Sequence, residues 1–156
     1  MRKPQSDPSL PGPGEAKRGE SGYLGYLLRQ AAGAYRHRMD RALTDLEVTP
    51  PQFAVMTMIK AYPGISNADL ARLTLLTPQT VSVIVANLER AQTIRRVPHN
   101  AHGRILQIEL TPEGLLLLQQ CRERVQNLEK EISEMLSEAD QAAIRRWLVH
   151  VARTES

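Results

Sequence analysis

Threonine is followed directly by proline at three places in this 156-residue chain: Thr49–Pro50, Thr77–Pro78 and Thr111–Pro112. A threonine hydroxyl can accept a hydrogen bond from a free backbone N–H at the start of a helix. Proline suits the first helical turn, because its missing N–H would have no partner there. Each pair therefore predicts a helix start, and together they favour a mainly α-helical fold.

Apolar residues recur at three- and four-residue steps after these starts and in three further segments. The spacing predicts a first helix over 23–46, a second from Thr49 to a Pro63–Gly64 stop, a third capped by Ser66 or Asn67, and a fourth from Thr77. The residues expected to face inward are Leu70, Leu73 and Leu76 in the third helix and Val81, Ile84, Val85 and Leu88 in the fourth.

A long fifth helix is predicted from Thr111, followed by a last helix that Ser137 and Asp140 open as a capping box. Heptad-like spacing marks an apolar stripe on the fifth helix, formed by Leu118, Cys121, Val125, Leu128, Ile132 and Met135. The last helix carries Ala143, Ile144, Trp147, Leu148 and Val151. These surfaces suit contact with a second copy of the chain, or packing within one chain alone.

The segment RRVPHNAHGRILQIELT, residues 95–111, predicts a β-hairpin with strands at 94–97 and 105–110. A two-stranded hairpin is barely stable alone and must pack on a neighbour. Helices, then a hairpin, then long helices predict a mainly α winged helix-turn-helix fold. The predicted divisions are a flexible tail at 1–20, a helical dimerisation region at 21–46 and 112–154, and a DNA-binding domain at 47–111.

Composition excludes several classes of protein. The single cysteine, Cys121, rules out an intrachain disulfide framework and a cysteine zinc cluster. The four histidines lack ligand spacing, so we expect no metal and no cofactor. No catalytic motif is present, which favours a protein that is not an enzyme. A signal peptide and a membrane-spanning run are also missing, so the cytoplasm is the expected location.

The fourth helix has the composition of a DNA-reading helix. Its predicted outer face is uncharged in the first two turns, whereas a solvated helix face usually carries Glu and Lys. Small polar groups there can hydrogen-bond base edges, and Val83 can pack on thymine methyl groups. The alternative is a plain amphipathic helix. The outer-face residues are Gln79, Thr80, Ser82, Val83, Ala86 and Asn87.

Arginines follow this helix. Arg95 and Arg96 can bind phosphates, which fixes the register of a protein on DNA without reading sequence. Arg104, near the hairpin tip, can enter a narrow minor groove, where the potential is negative. All three are expected on one side of the hairpin. The alternative for Arg104 is an ordinary exposed side chain.

These motifs, in this order, resemble the MarR family of winged-helix transcription regulators over about four-fifths of the chain. The segments that carry the resemblance are TPPQFAVM, SNADLARLTLLTPQTVSVIVANLERAQTI and RRVPHNAHGRILQIELTPEG. The resemblance implies a homodimer that binds double-stranded DNA, with the fourth helix in the major groove and the hairpin as the wing. The implied DNA contacts are Thr77, Pro78, Gln79, Thr80, Ser82, Val83, Asn87, Arg95, Arg96, His102 and Arg104.

Three positions depart from the family pattern. Val83 stands where an arginine is frequent, His102 stands where an aspartate often orients the wing arginine, and Gln92 stands where a helix-ending glycine is usual. The dimer contacts implied by the resemblance and by apolar spacing are Leu24, Leu27, Leu118, Val125, Leu128, Ile132, Trp147 and Val151.

The resemblance also implies a repressor whose operator is palindromic and which a small aromatic or phenolic ligand releases from DNA. The residues it places at the ligand are Tyr26, Arg29, Gln30, Tyr35, His37, Phe53 and Met56, with Arg29 or Arg36 pairing an acid. Two alternatives are a winged-helix module that binds only protein and a thiol-responsive regulator acting through Cys121. The position of Cys121 on a buried stripe disfavours the second.

Overall fold

The computed structural model describes residues 10–153. Residues 1–9 of the expected tail and residue 154 of the expected dimerisation region lie outside the described residues. The fold is mainly helical with one two-stranded sheet, as predicted. The helices are α1 (Leu24–Leu43), α2 (Pro50–Ala61), α3 (Asn67–Thr74), α4 (Pro78–Arg90), α5 (Pro112–Ser133) and α6 (Glu138–Arg153), and the strands are β1 (Ile94–Pro98) and β2 (Leu106–Leu110).

All three threonine–proline pairs start helices. The side chains of Thr49, Thr77 and Thr111 accept hydrogen bonds from the backbone N–H groups three residues further on. Thr49 and Gln52 form a full capping box, in which each side chain bonds the other residue's backbone N–H. Ser66, not Asn67, caps α3. Helix starts were thus predicted from the sequence to within one residue.

The chain divides into two compact units, one ending at Arg38 and the other beginning at Met39. In the first unit, a 3-10 turn at Ala16–Arg18 precedes most of α1. The Arg18 guanidinium donates a 2.9 Å hydrogen bond to the Pro11 carbonyl. The predicted first helix is confirmed, and its last residues tighten into a 3-10 turn at Thr44–Leu46.

The second unit holds one apolar core, to which α2, α3, α4, α5 and both strands contribute. Aliphatic side chains fill it, as the scarcity of aromatic residues predicts. All four inward-facing residues predicted for α4 are buried. The largest fully buried side chains are Leu43, Met56, Leu70, Leu118, Val55, Val81, Val85 and Cys121.

One residue predicted to face the core is exposed, and one residue predicted for the long fifth helix lies outside it. Leu73 is 48% exposed, because the inward face of the short α3 runs through Leu70 and Ala71 and leaves Leu73 to one side. Met135 is 93% exposed and lies beyond the end of α5 at Ser133, so it does not extend the apolar stripe of that helix. The stripe is buried at Leu118, Cys121 and Leu128.

The hairpin is confirmed, with strand ends within one residue of the prediction. Its antiparallel register pairs Ile94 with Leu110 and Arg96 with Ile108. Ile94, Ile108 and Leu110 are buried in the core of the second unit. This packing supplies the support that an isolated hairpin lacks.

Candidate nucleic-acid interface

Helix α4 presents the uncharged outer face that its sequence predicts. Its four inward residues hold the helix against the core, so the opposite face is left to solvent. Val83 lies on that face and is 60% exposed, too much for a core residue. The exposed residues of the first three turns are Pro78, Gln79, Thr80, Ser82, Val83, Ala86 and Asn87.

Hydrogen bonds order both ends of this face. The Thr77 hydroxyl accepts the Thr80 N–H and lies 2.8 Å from the Thr80 hydroxyl, so both hydroxyls belong to the helix cap. Near the other end, the Asn87 side-chain oxygen accepts a 3.0 Å hydrogen bond from Arg90. The Asn87 amide therefore keeps its two N–H donors for another acceptor.

A compact junction joins α4, the wing and α5. Gln92 ends the turn after α4 with φ +58°, the left-handed conformation that favours glycine. The Thr111 hydroxyl lies within hydrogen-bond distance of the Gln92 and Thr93 carbonyls, at 2.7 and 3.1 Å. A Cβ atom on Gly114 would clash with the Thr93 carbonyl. Glycine there lets α5 start directly against Thr93, in the turn between α4 and β1.

Arg95 and Arg96 each form an ion pair with a carboxylate. Arg95 Nε donates to Glu109 Oε1 across the hairpin at 2.6 Å, and Arg96 Nε donates to Glu89 Oε2 on α4 at 3.4 Å. The expectation that both lie on one side with Arg104 is wrong. Side chains of consecutive strand residues point to opposite faces. Arg95 therefore projects from the face of the hairpin that is turned to solvent, and Arg96 projects from the face that packs on α4.

Arg104 lies in the loop that joins β1 and β2, and it is exposed. Within residues 10–153 it makes no ion pair. Backbone bonds shape the loop: the His99 N–H donates to the Ile105 carbonyl and the Ile105 N–H donates to the His102 carbonyl, both at 2.8 Å. The His102 ring stacks on the His99 ring, with centroids 5.7 Å apart. No bond in the described loop links His102 to Arg104.

The residues predicted for ligand binding and dimerisation stay predictions. Tyr26, Arg29, Gln30, Tyr35, Arg36 and His37 lie on α1, and Phe53 and Met56 lie on α2. Met56 is fully buried in the core of the second unit, and Phe53 packs partly against that core. Of the predicted dimer contacts on α5 and α6, Ile132 and Val151 are at least 40% exposed.

Cys121 is fully buried in the core. Burial raises the pKa of its thiol above the ordinary value of 9.0, which disfavours the reactive thiolate. This environment is typical of a cysteine that acts as a small apolar residue.

Sequence reasoning missed the acidic partners of the two strand arginines, Glu89 and Glu109. The hairpin register could have identified Glu109, because it places Glu109 directly opposite Arg95. Glu89 could not be found this way, because its contact depends on how α4 packs against β1.

The α2–α3–α4 helices followed by the β1–β2 wing define a winged helix-turn-helix protein. Residues 46–105 match the model of the MarR family. The HTH-type transcriptional repressor Rv2887 of Mycobacterium tuberculosis is 31% identical over 125 residues, which cover 80% of this chain and 90% of that protein. The chain belongs to the MarR family of transcriptional regulators, which is not a class of enzymes.

Solved structures agree on the fold. Rv2887 in complex with salicylic acid has a TM-score of 0.69 and 30% identity, covering 85% of this chain and 98% of that one. A mutant MarR from E. coli, complexed with operator DNA, has a TM-score of 0.72 and 22% identity, covering 82% and 92%. At that lower identity the likeness shows the fold alone. Among the helices described, none has the length and apolar character needed to cross a membrane.

Proposed function

We propose that this protein is a dimeric transcriptional repressor that binds a palindromic operator and leaves it when a small aromatic acid binds. The observation that carries the proposal is the exposed, uncharged face of α4, which lies between a capped helix start and the wing. Such a face fits the major groove, where small polar side chains and Val83 can reach base edges and thymine methyl groups.

A dimer supplies the second half of the operator contact. One helix-turn-helix makes few contacts, whereas two related by a dyad reach half-sites about 34 Å apart. Helix α6 has no buried residue among those described, although Ile144, Leu148 and Val151 are apolar and only 40–41% exposed. A second copy would remove these side chains from water, which favours association.

The class of ligand is inferred from a related protein that binds an aromatic acid. Rv2887, 30% identical to this chain, has been crystallised with salicylic acid. In this chain, Arg29 or Arg36 would pair the carboxylate, and the aromatic ring would contact Tyr26, Gln30 or Tyr35 on α1. A ligand that prefers a conformer with wrongly spaced α4 helices releases DNA, and a coupling of about 1–3 kcal/mol is enough.

Selection of bound duplexes from random DNA, repeated with aromatic acids as competitors, tests the whole proposal. We expect a palindrome to be recovered and to be lost in the presence of salicylate or a related acid. Arg29→Gln and Arg36→Gln variants then identify the acid-binding cation. Failure to recover any preferred duplex would contradict operator binding.

Replacement of Arg104 by alanine tests the wing. We expect operator affinity to fall about tenfold, or about 1.4 kcal/mol, with no change in thermal stability. Arg122→Ala, an equal loss of charge on the exposed face of α5, serves as the control. Unchanged affinity in Arg104→Ala would remove the wing from the interface. A DNA affinity that does not change with salt concentration would favour the alternative of a winged-helix module that binds only protein.

A further inference from the structure

The two arginines at the start of the wing each pair with an acidic residue. Glu109 bonds Arg95, Glu89 bonds Arg96, and Glu113 lines the same surface recess as both arginines. Glu109 and Glu89 thus each neutralise one guanidinium group, whereas Glu113 pairs with neither among the described residues. This part of the wing is not the basic patch that its RR sequence suggests.

The Arg95–Glu109 pair presents both charges to the same solvent. The two residues are direct cross-strand partners, so their side chains project side by side from the same face of the hairpin. The side chains are 58% and 40% exposed. A phosphate that approaches the Arg95 guanidinium therefore meets the Glu109 carboxylate as well.

The Arg96–Glu89 pair is also open to solvent, with side chains 40% and 42% exposed. Exposed pairs of this kind are weak, so they do not stabilise the fold much. Their larger effect is on the charge that an approaching polyanion meets. Each carboxylate cancels a positive charge that would otherwise release a counterion from DNA.

We propose, building on the DNA-binding function above, that Glu89 and Glu109 are specificity-determining residues that suppress sequence-independent binding to DNA. They neutralise Arg96 and Arg95 at the base of the wing. Attraction to any phosphate backbone then depends mainly on the α4 N-terminus and on Arg90 and Arg104, which have no carboxylate partner in the part of the chain that the structure describes. Binding to random DNA stays weak, and base contacts along α4 carry a larger share of the affinity.

The test measures binding of the full-length protein to a random-sequence duplex between about 50 and 200 mM salt. In Glu109→Gln, we expect affinity to rise about two- to fivefold, the strength of an exposed ion pair. The slope of log affinity against log salt should steepen by about one unit, because one more phosphate is neutralised. Glu89→Gln should act in the same direction through Arg96.

Glu113→Gln is the matched control, because Glu113 lies in the same recess and makes no ion pair among residues 10–153. It removes the same charge and reports the general effect of that loss. The excess gain of Glu109→Gln over this control should vanish in an Arg95→Gln background. Thermal melting checks that each variant is folded.

Equal gains in Glu109→Gln and Glu113→Gln would overturn the inference, since only net charge would then matter. A loss of affinity in Glu109→Gln would also overturn it, because the carboxylate would then orient Arg95 for phosphate. Both results presuppose that the wild-type protein binds the duplex at low salt. If it binds no duplex at all, the proposed function itself fails.

Discussion

Two non-glycine residues in the left-handed conformation flank helix α4. Leu75, with φ +55°, lies in the turn before it, and Gln92, with φ +58°, lies in the turn after it. Left-handed backbone costs an L-residue about 1–2 kcal/mol. Since Leu75 is also 93% exposed, no burial of its side chain offsets this cost. Each turn around the proposed reading helix is therefore set by its surroundings rather than by local preference.

Gln92→Gly should stabilise the protein. Glycine adopts the left-handed conformation without a Cβ clash, and after its greater unfolded-state entropy is subtracted we expect a gain of about 0.5–1 kcal/mol. Chemical denaturation measures the free energy of unfolding. Gln92→Ala, which keeps a Cβ atom, is the control and should show no gain. A less stable Gln92→Gly would mean that the Gln92 side chain contributes more than the backbone strain costs.

Replacing Gly114 by alanine should destabilise the protein, whereas replacing Gly33 by alanine should stabilise it. At Gly114 the added methyl group meets the Thr93 backbone, so we expect a loss of about 1–3 kcal/mol. Gly33 is a helical glycine with open space around it, and alanine there should gain about 0.5–1 kcal/mol. Thermal melts of both variants give the comparison. Equal responses would show that helix propensity, not contact with Thr93, decides the effect.

At the scale of elements, an ion pair ties the 3-10 turn at Thr44–Leu46 to α5. Arg124 donates two hydrogen bonds to Asp45, at 3.0 and 2.6 Å. The hydrogen bond from Arg124 holds the pKa of Asp45 below its ordinary value of 3.8, although burial opposes this. The pair thus links the 3-10 turn that follows α1 to the long helix α5, two parts of the sequence that are 79 residues apart.

The direction of the pKa shift of Asp45 determines how this pair contributes to stability as pH changes. Because the folded pKa of Asp45 is lowered, the pair stabilises the fold fully above about pH 4 and is lost as pH falls through the lowered value. Asp45→Asn should therefore lower the thermal midpoint at pH 7 and leave it unchanged near pH 2. Asp40→Asn, an exposed acid on α1, is the control. A midpoint difference that persists at low pH would mean that Asp45 acts by packing rather than by charge.

At the scale of the whole molecule, the assembly is the main prediction. Leu148→Glu on α6 should shift the protein from dimer to monomer and weaken operator binding together, because charge on the apolar face opposes its burial. Light scattering after size-exclusion chromatography measures the mass. Arg146→Glu, on another face of the same helix, controls for the added acid. A dimer that survives Leu148→Glu would exclude this face from the interface.

The sequence by itself determined the helices, the hairpin and the outer face of α4. Threonine caps, proline starts and apolar spacing act within a few residues, so they can be read without knowing the fold. Only the tertiary structure decided how those parts meet. Packing turned Leu73 outward and brought Glu89 to Arg96 and Asp45 to Arg124. These outcomes depend on contacts between distant segments, and no local pattern encodes them.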